Sequence, residues 1–377
     1  MTTLPAGPGT TVAQIPEAAA KPVPEPRVAG ADRPRRVGGR TKDDWLALGG
    51  SLAGSLGLVT VAYDRILPFS GLLGFIICWY VMFLVLYVLV SVMSNPLPIV
   101  KDRLASAVVC GAAAVVFLAV GSTVVYTLVK GYNAVHHLNF FTHSMAGVEP
   151  TAPLFLGGIL HAIVGTLIEI GIAIVVTLPL GVGTAVFITE VGGRFARWVR
   201  TVVEAMTALP DIIAGLFIYT VLIVRLGLGF CGFAAAMALS VMMLPVIARS
   251  AEVVLRVVPG GLREAALALG ATRWRVVRMV VLPTARSGLA TALILGIARG
   301  IGETAPVLLT SGASTFFNAD PFHNPMNSLP LFIFSGFESG EQLYAARLWG
   351  AAAVLLLLVL ILFVVARLLA RSRTGRS

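Results

Sequence analysis

Long apolar runs without any charged side chain are the feature that most restricts how this chain can fold. The run from Leu72 to Val92 contains no Asp, Glu, Lys or Arg, and about 20 consecutive apolar residues suffice for a helix to cross a bilayer. Within lipid, a backbone must satisfy its own hydrogen bonds, so such runs fold as helices. With 57% hydrophobic and 12% charged residues, the chain is predicted to be an all-α membrane protein.

Eight segments are apolar and long enough to be predicted as spans. The first carries four glycines, which also suit a helix-packing face. The segments are approximately residues 45–62, 71–93, 104–129, 156–188, 202–224, 231–250, 286–309 and 344–366.

The distribution of basic residues predicts the orientation. Of the 28 Lys and Arg residues, 23 fall in loops or tails on one side of these spans and 3 on the other. The positive-inside rule places the richer side, with both termini, in the cytoplasm. Because the basic residues follow the membrane topology, the net charge of +10 is not interpreted as nucleic-acid binding. Residues 1–44, rich in Pro, Gly and charge, are predicted to be a disordered cytoplasmic tail.

A charged, helix-forming stretch, REAALALGATRWRVVRMVVLP at 263–283, separates the sixth and seventh segments. Ala265 and Ala266 are small helix formers that let a helix lie close against a partner's groove. Gly270 is expected to end this helix in a conformation that other residues resist, and Pro283 to begin the next one. The stretch is interpreted as a docking loop, with an ordinary amphipathic interfacial helix as the alternative.

The seventh segment contains two ionisable residues, Arg299 and Glu303. Arg299 lies about 20 Å along a helix from Arg286, so it should face a protein cavity rather than lipid. Glu303 is four residues further on, which places both side chains on one helix face. These two residues and Thr304 are predicted to line a substrate path. A buried Arg/Glu clamp that only fixes helix packing is the alternative.

Small residues and a proline accompany this pair. Gly288, Ala292, Gly296 and Gly300 recur every four residues, a spacing that lets a neighbouring helix or a solute come close. Since Pro306 cannot donate to the carbonyl of Gly302, the helix is expected to loosen just past Glu303. The packing and hinge positions are therefore Gly296, Gly300, Gly302 and Pro306.

Two further charges in or near the spans leave alternatives open. Arg249 closes the sixth segment, either as an interfacial anchor, which we favour, or as an exit-side contact on the substrate path. Glu169 lies within the fourth segment, where it pairs with a cation from another helix, is protonated, or faces water.

Several stretches from about residue 157 to 367 resemble one family. The 263–283 loop resembles the EAA loop of ABC importer permeases, EAA-x3-G-x9-I-x-L-P, with Val280 in place of Ile. LPDIIAGLFIYT at 209–220 and IARGIGETAPVLLTSG at 297–312 are similar to the PstA-type permeases of bacterial phosphate ABC importers.

The resemblance implies a fold and an assembly. The implied fold is a type I (MetI-like) importer core of six helices over residues 104–370, with a cytoplasmic coupling loop at 249–285. A transmembrane hairpin at 45–93 is added to this core. Coupling to a dimeric PstB-like ATPase is assigned to Arg263, Glu264, Ala265, Ala266 and Gly270. The other implied partners are a PstC-like second permease, a PstS-like external phosphate-binding protein and membrane lipid.

The predicted function is that of a permease subunit for inorganic phosphate in the bacterial cytoplasmic membrane. No GxxxxGK[ST] motif is present, so ATP-Mg is expected on the ATPase and no cofactor, metal or catalytic residue is assigned to this chain. A permease for sulfate or molybdate and a secondary transporter are the alternatives. An intramembrane enzyme is disfavoured, because the spans lack HExxH, GxSxG and paired aspartates.

Overall fold

The computed structural model describes residues 42–66, 71–338, 340 and 344–370. Most of the predicted disordered tail (1–44) and the basic residues Arg371, Arg373 and Arg376 lie outside these ranges. The chain divides into two compact units, Met1–Phe117 and Leu118–Ser377, and the division falls inside the third helix.

The described residues are helical and include no β-strand, which confirms the all-α prediction. The helices are α1 (Lys42–Val61), α2 (Leu72–Ser94), α3 (Leu97–Val135), α4 (Asn139–Thr142), α5 (Leu160–Val186), α6 (Gly193–Thr207), α7 (Asp211–Ile218), α8 (Gly232–Val257), α9 (Gly260–Ala268), α10 (Arg273–Val276), α11 (Leu282–Gly300), α12 (Ala305–Thr310), α13 (Leu329–Glu338) and α14 (Ala345–Ala370). Four π-helical stretches continue α1, α5, α7 and α10: Ala62–Ile66, Phe187–Val191, Tyr219–Arg225 and Val277–Val281.

Each of the eight predicted spans corresponds to a helix or to a pair of helices. Among the described residues, six helices are long and apolar enough to cross a membrane, and a seventh span results if one bent pair is counted as a single span. The first predicted span corresponds to α1, whose apolar part, Trp45–Val61, is shorter than these.

The predicted span 202–224 is not one straight helix. It is divided between α6 and α7, whose axes differ by 103°. Pro210, between the two helices, has no N–H to donate and disfavours helical backbone at Leu209. The exposed Arg194 and Arg197 on α6 also make that helix unsuitable for crossing lipid.

Helix α8 is the central packing element of the second unit and lies against both α5 and α11. Its alanines Ala234, Ala235, Ala236 and Ala238 are buried, and their small side chains let neighbouring backbones approach. Larger side chains of α8, such as Met243 and Ile247, fill the core that α5 and α11 share with it.

The stripe of small residues on α11 packs against α8, so a helix rather than a solute covers it. A Cβ atom added to Gly296 would lie 2.5 Å from Cγ1 of Ile247, and one added to Gly300 would lie 2.5 Å from Sδ of Met243. Gly302, predicted as a packing or hinge position, is not packed and lies in the break between α11 and α12, so its hinge role stays a prediction. That residue is exposed and has no atom within 4 Å of such a Cβ, because it follows the end of α11.

Pro283 lies in the first turn of α11, as expected, although the residues before it are helical as well. The helical run is continuous from Arg273 to Gly300, and the π-helical stretch Val277–Val281 immediately precedes Leu282 and Pro283. A π-helical turn changes the local hydrogen-bond register, which lets the chain accommodate a proline without ending the helix.

Arg347 fastens the start of α14 to the loop before α5. Its side chain is fully buried, and its terminal nitrogens donate to the carbonyl oxygens of Pro153 (2.6 Å) and Leu156 (2.7 Å). A weaker contact of 3.3 Å reaches the carbonyl of Pro150. Backbone carbonyls thus provide the polar environment that a buried guanidinium requires.

The packing of α11 on α8 yields a first prediction. Gly296→Ala should lower the free energy of unfolding by about 1–3 kcal/mol, because the added methyl overlaps the buried Ile247 side chain. The measurement is thermal unfolding of the purified protein in detergent. Gly302→Ala is the matched control and should stay within about 0.5 kcal/mol of the native protein. Equal stability of the two variants would contradict the packing described here.

Candidate functional site

A helix break forms the centre of the candidate site. Helix α11 ends at Gly300 and α12 begins at Ala305, with Pro306 in its first turn. Glu303 is one of the four residues between these two helices. The helix was expected to loosen just past Glu303, so the interruption begins earlier along the chain than predicted. Backbone groups released by such a break are tolerated at membrane depth only where protein or a water-filled cavity surrounds them.

Arg299 and Glu303 form an ion pair beside this break. Nη1 of Arg299 lies 3.0 Å from Oε1 of Glu303, as their spacing of four residues predicts. The side chain of Arg299 is 46% exposed and that of Glu303 is 15% exposed. The guanidinium is therefore accessible from an open space, whereas the carboxylate is largely covered.

A second carboxylate, which the sequence analysis missed, completes the site. Asp211 is the first residue of α7, and its Oδ2 accepts a hydrogen bond from Nη2 of Arg299. The two residues are 88 positions apart. An available signal was the position of an acidic residue between Pro210 and the apolar run IIAGLFI, since acids are uncommon in membrane segments.

The other predicted path residues do not join this cluster. Thr304 occupies the N-cap position of α12 without a capping hydrogen bond from its side chain. Arg249 instead donates to Oε1 of Glu204 at 2.7 Å and lies 3.8 Å from Glu252. It is thus engaged with carboxylates near the C-terminal end of α8, and its role as an interfacial anchor stays a prediction.

Glu252 is the centre of that second group of charges. Its carboxylate is buried and lies 2.8 Å from Nη2 of Arg200 on α6, and it also accepts from Arg256 one turn further along α8. A buried carboxylate requires such partners, because desolvation of an unpaired charge is costly. The group joins the amphipathic helix α6 to α8.

Glu169 on α5 is fully buried, and no Lys, Arg or His pairs with it among the described residues. One of its oxygens lies 2.8 Å from the hydroxyl oxygen of Ser311, and the same hydroxyl contacts the carbonyl of Met326. A hydroxyl carries one hydrogen and a carbonyl carries none. If Ser311 donates to Met326, the bond to Glu169 needs a hydrogen from the carboxyl group, so this arrangement favours the protonated form.

The environment of Glu169 connects it to the candidate site. Glu169 and Glu303 line the same small cavity, together with Thr166 and Ser328. Ser328 is buried, and its hydroxyl has no hydrogen-bond partner among the described residues. Nearby, the hydroxyl of Thr166 accepts from the N–H of Leu329, which fixes the start of α13 against α5.

Helix α9 presents the residues predicted to couple to an ATPase. Glu264 and Ala265 are exposed, and Ala266 is half-buried against the core formed by the C-terminal end of α8 and the start of α11. Gly270 has a φ of 81°, a left-handed conformation that favours glycine. The N–H of Ala271 bonds the carbonyl of Ala266 (3.1 Å), and that of Gly270 bonds Leu267 (2.9 Å). This pattern is a Schellman motif and confirms that Gly270 ends the helix.

Arg263 differs from the other predicted coupling residues because its side chain points into the protein. Its guanidinium binds Oε1 of Glu190 (2.9 Å) and donates to the carbonyls of Leu255 and Val258, both at 2.9 Å. Glu190 ends the extended α5 helix, and the two carbonyls end α8. Arg263 thus attaches α9 to two spans instead of facing a partner.

No group of three or more His, Cys, Asp or Glu side chains that could hold a metal ion occurs in the described ranges. The arrangement at Arg299 is instead suited to an anion, because a guanidinium binds oxyanions through paired N–H donors.

Comparison with known proteins identifies the class of chain that carries this site. Residues 177–375 match the family of binding-protein-dependent transport system inner membrane components, a match that covers more than half of the chain.

Two curated relatives are similar over most of their own length. The phosphate transport system permease protein PstA 1 of Mycobacterium tuberculosis (strain CDC 1551 / Oshkosh) is 42% identical over 233 residues, which cover 62% of this chain and 76% of that protein. The PstA permease of Haemophilus influenzae is 34% identical, with coverage of 65% and 85%.

Among solved structures, one of the MetNI methionine ABC transporter in inward-facing conformation is 25% identical to this chain. It covers 58% of this chain and 95% of its own, with a TM-score of 0.47.

The hydrogen bonds of the Ser311 hydroxyl yield the second prediction. Glu169→Gln supplies an amide N–H donor in place of the carboxyl O–H and should change the free energy of unfolding by less than about 1 kcal/mol. Glu169→Ala removes that donor and leaves a cavity, which should cost about 2–5 kcal/mol. Thermal unfolding in detergent measures both. A glutamine variant as unstable as the alanine variant would argue against a neutral, donating carboxyl.

Proposed function

Since the chain belongs to the PstA-type permeases, within the family of binding-protein-dependent transport system inner membrane components, we propose that it forms a phosphate path together with a second permease. It is a multi-pass inner membrane protein and a transport subunit rather than an enzyme. The observation that carries the proposal is the exposed guanidinium of Arg299 at a broken helix, held between two carboxylates.

The chemistry of Arg299 suits phosphate. Its planar fork donates two parallel hydrogen bonds to an oxyanion, and the low dielectric of a membrane-embedded site strengthens them relative to water. The break between α11 and α12 leaves an open space beside the guanidinium, where a hydrated anion can approach without contact with lipid.

Glu303 has two roles in this proposal. In the empty site it neutralises Arg299 through the 3.0 Å ion pair. When phosphate is bound, the carboxylate accepts a hydrogen bond from the protonated oxygen that phosphate carries at neutral pH. Sulfate and molybdate dianions have no proton to donate, so a carboxylate at this position favours phosphate over those alternative substrates.

Helix α9 is the proposed contact with the ATPase. Its residues Leu262 and Leu267 are each nearly half exposed, and Leu269 beyond it is 90% exposed, an apolar surface that fits a groove in a partner protein. Because Arg263 ties this helix to Glu190 and to the end of α8, a displacement of α9 is transmitted directly to two spans.

The assembly proposed for this chain follows from its family. It comprises a PstC-like permease, a dimeric PstB-like ATPase that holds ATP-Mg, and a PstS-like external phosphate-binding protein. The excess of Lys and Arg on the side of α9 supports a cytoplasmic location of that helix and of both termini. ATP dependence distinguishes this assembly from a secondary transporter.

Substitution of Arg299 tests the substrate path. A hydrogen bond to a charged group contributes about 1.5–3 kcal/mol, so Arg299→Gln should reduce ATP-dependent uptake of labelled phosphate by about ten- to a hundredfold. Arg299→Lys keeps the charge but not the fork and should also reduce uptake. The assay uses vesicles carrying the full complex, with assembly checked for each variant. Native uptake by Arg299→Lys would exclude a role for the guanidinium geometry.

Substitution of Glu264 tests the coupling helix independently of the substrate path. Glu264→Lys should reduce uptake and the ATP hydrolysis stimulated by the binding protein by about tenfold or more, because a reversed charge at an interface meets a repulsive partner. Asp102→Lys is the control, since Asp102 is also exposed and lies outside the 249–285 loop. Unimpaired hydrolysis in Glu264→Lys would place the ATPase contact elsewhere on the chain.

A further inference from the structure

Both terminal nitrogens of Arg299 are occupied by carboxylates of this chain. Nη1 binds Glu303 at 3.0 Å, and Nη2 binds Asp211. A phosphate that binds end-on, through both terminal nitrogens of the guanidinium fork, approaches the same edge that these carboxylates contact. The two carboxylates of this chain therefore compete with an arriving anion for that edge of the guanidinium.

The charges lead to the same conclusion. One guanidinium and two carboxylates carry a net charge of −1 when all three are ionised, and such a site repels a phosphate anion. Removal of one carboxylate from the guanidinium leaves a locally neutral site. Phosphate binding is therefore favoured when one of the two carboxylates moves away from the guanidinium.

Asp211 is the carboxylate better placed to leave. It is 36% exposed, whereas Glu303 is 15% exposed, and Glu303 is attached one helical turn from Arg299 along the same stretch. Asp211 belongs to a different helix and directly follows Pro210, at the bend between α6 and α7.

The packing of α7 provides a route for this movement. Gly215 lies so close to Pro306 that an added Cβ would be 2.6 Å from the proline Cα, so α7 is tightly joined to α12. Helix α12 is separated from α11 by the break at residues 301–304. Movement of α7 and α12 together, relative to α11, would separate Asp211 from Arg299.

We propose that Asp211 is a displaceable counter-anion that occupies the place of phosphate on Arg299 while the path is empty. This gating role of Asp211, a residue outside the Arg299/Glu303 pair, rests on the function proposed above. Asp211 keeps the guanidinium neutralised between transport cycles and admits an anion only when α7 moves.

If the ion pair between Asp211 and Arg299 were only structural, Asp211→Asn would leave the affinity for phosphate unchanged. Because exposed ion pairs contribute little to stability, the variant should also unfold at nearly the native temperature. A displaceable counter-anion, by contrast, reduces the apparent affinity for phosphate in proportion to the fraction of molecules in which Arg299 is free of it. The two roles are separated by a binding measurement.

The experiment is equilibrium binding of labelled inorganic phosphate to the full permease–ATPase complex in nanodiscs, without nucleotide or binding protein. If the pair is closed in about nine molecules of ten, Asp211→Asn should bind phosphate about tenfold more tightly than the native complex. Asp102→Asn, the same change at an exposed site, should bind as the native complex does. Asp211→Asn combined with Arg299→Gln should abolish the added binding.

Two results would overturn the inference. One is a phosphate affinity equal to or weaker than that of the native complex in an assembled Asp211→Asn complex. If that variant fails to assemble, Asp211→Ser is measured instead. The other is tighter binding that persists after Arg299→Gln. Either result leaves the proposed function intact provided that Arg299→Gln abolishes uptake, whereas normal uptake by Arg299→Gln overturns the proposed function itself.

Discussion

A guanidinium inside a hydrocarbon layer is the constraint on which the arrangement of this chain depends. Arg299 cannot face lipid at that depth without a large desolvation cost, so other elements must supply both counter-charges and space. Glu303 supplies the first counter-charge from the same stretch of chain, and Asp211 supplies the second from α7. The break after Gly300 supplies the space, and the glycine stripe on α11 lets α8 support the helix from behind.

The charges at the far end of α8 serve a different purpose. Arg263 joins α9 to Glu190 and to the last carbonyls of α8, and Glu252 joins α8 to α6 through Arg200. These contacts link α5, α6 and α8 to one exposed helix, so a displacement of α9 would reach all three together.

Two buried ionisable groups in the second unit are held by hydrogen bonds rather than by an opposite charge. The terminal nitrogens of Arg347 donate to backbone carbonyls, while its Nε has no hydrogen-bond partner among the described residues, and Glu169 shares a single hydroxyl with the carbonyl of Met326. Each group contacts an irregular segment, the loop before α5 and the extended stretch before α13. Hydrogen bonds thus hold non-helical backbone in place where helix packing does not reach it.

Local patterns in the sequence determined much of this protein. Charge-free runs identified the membrane class and the helices, the spacing of four residues identified the pair Arg299/Glu303, and the position of Gly270 identified the end of the coupling helix, because each depends on residues close along the chain. Only the tertiary structure brought Asp211 to Arg299 across 88 positions, turned Arg263 inward and left Gly302 uncovered. These outcomes depend on how separate helices pack, and the bend at Pro210 and the break after Gly300 direct α7 and α12 to positions that helical periodicity does not encode.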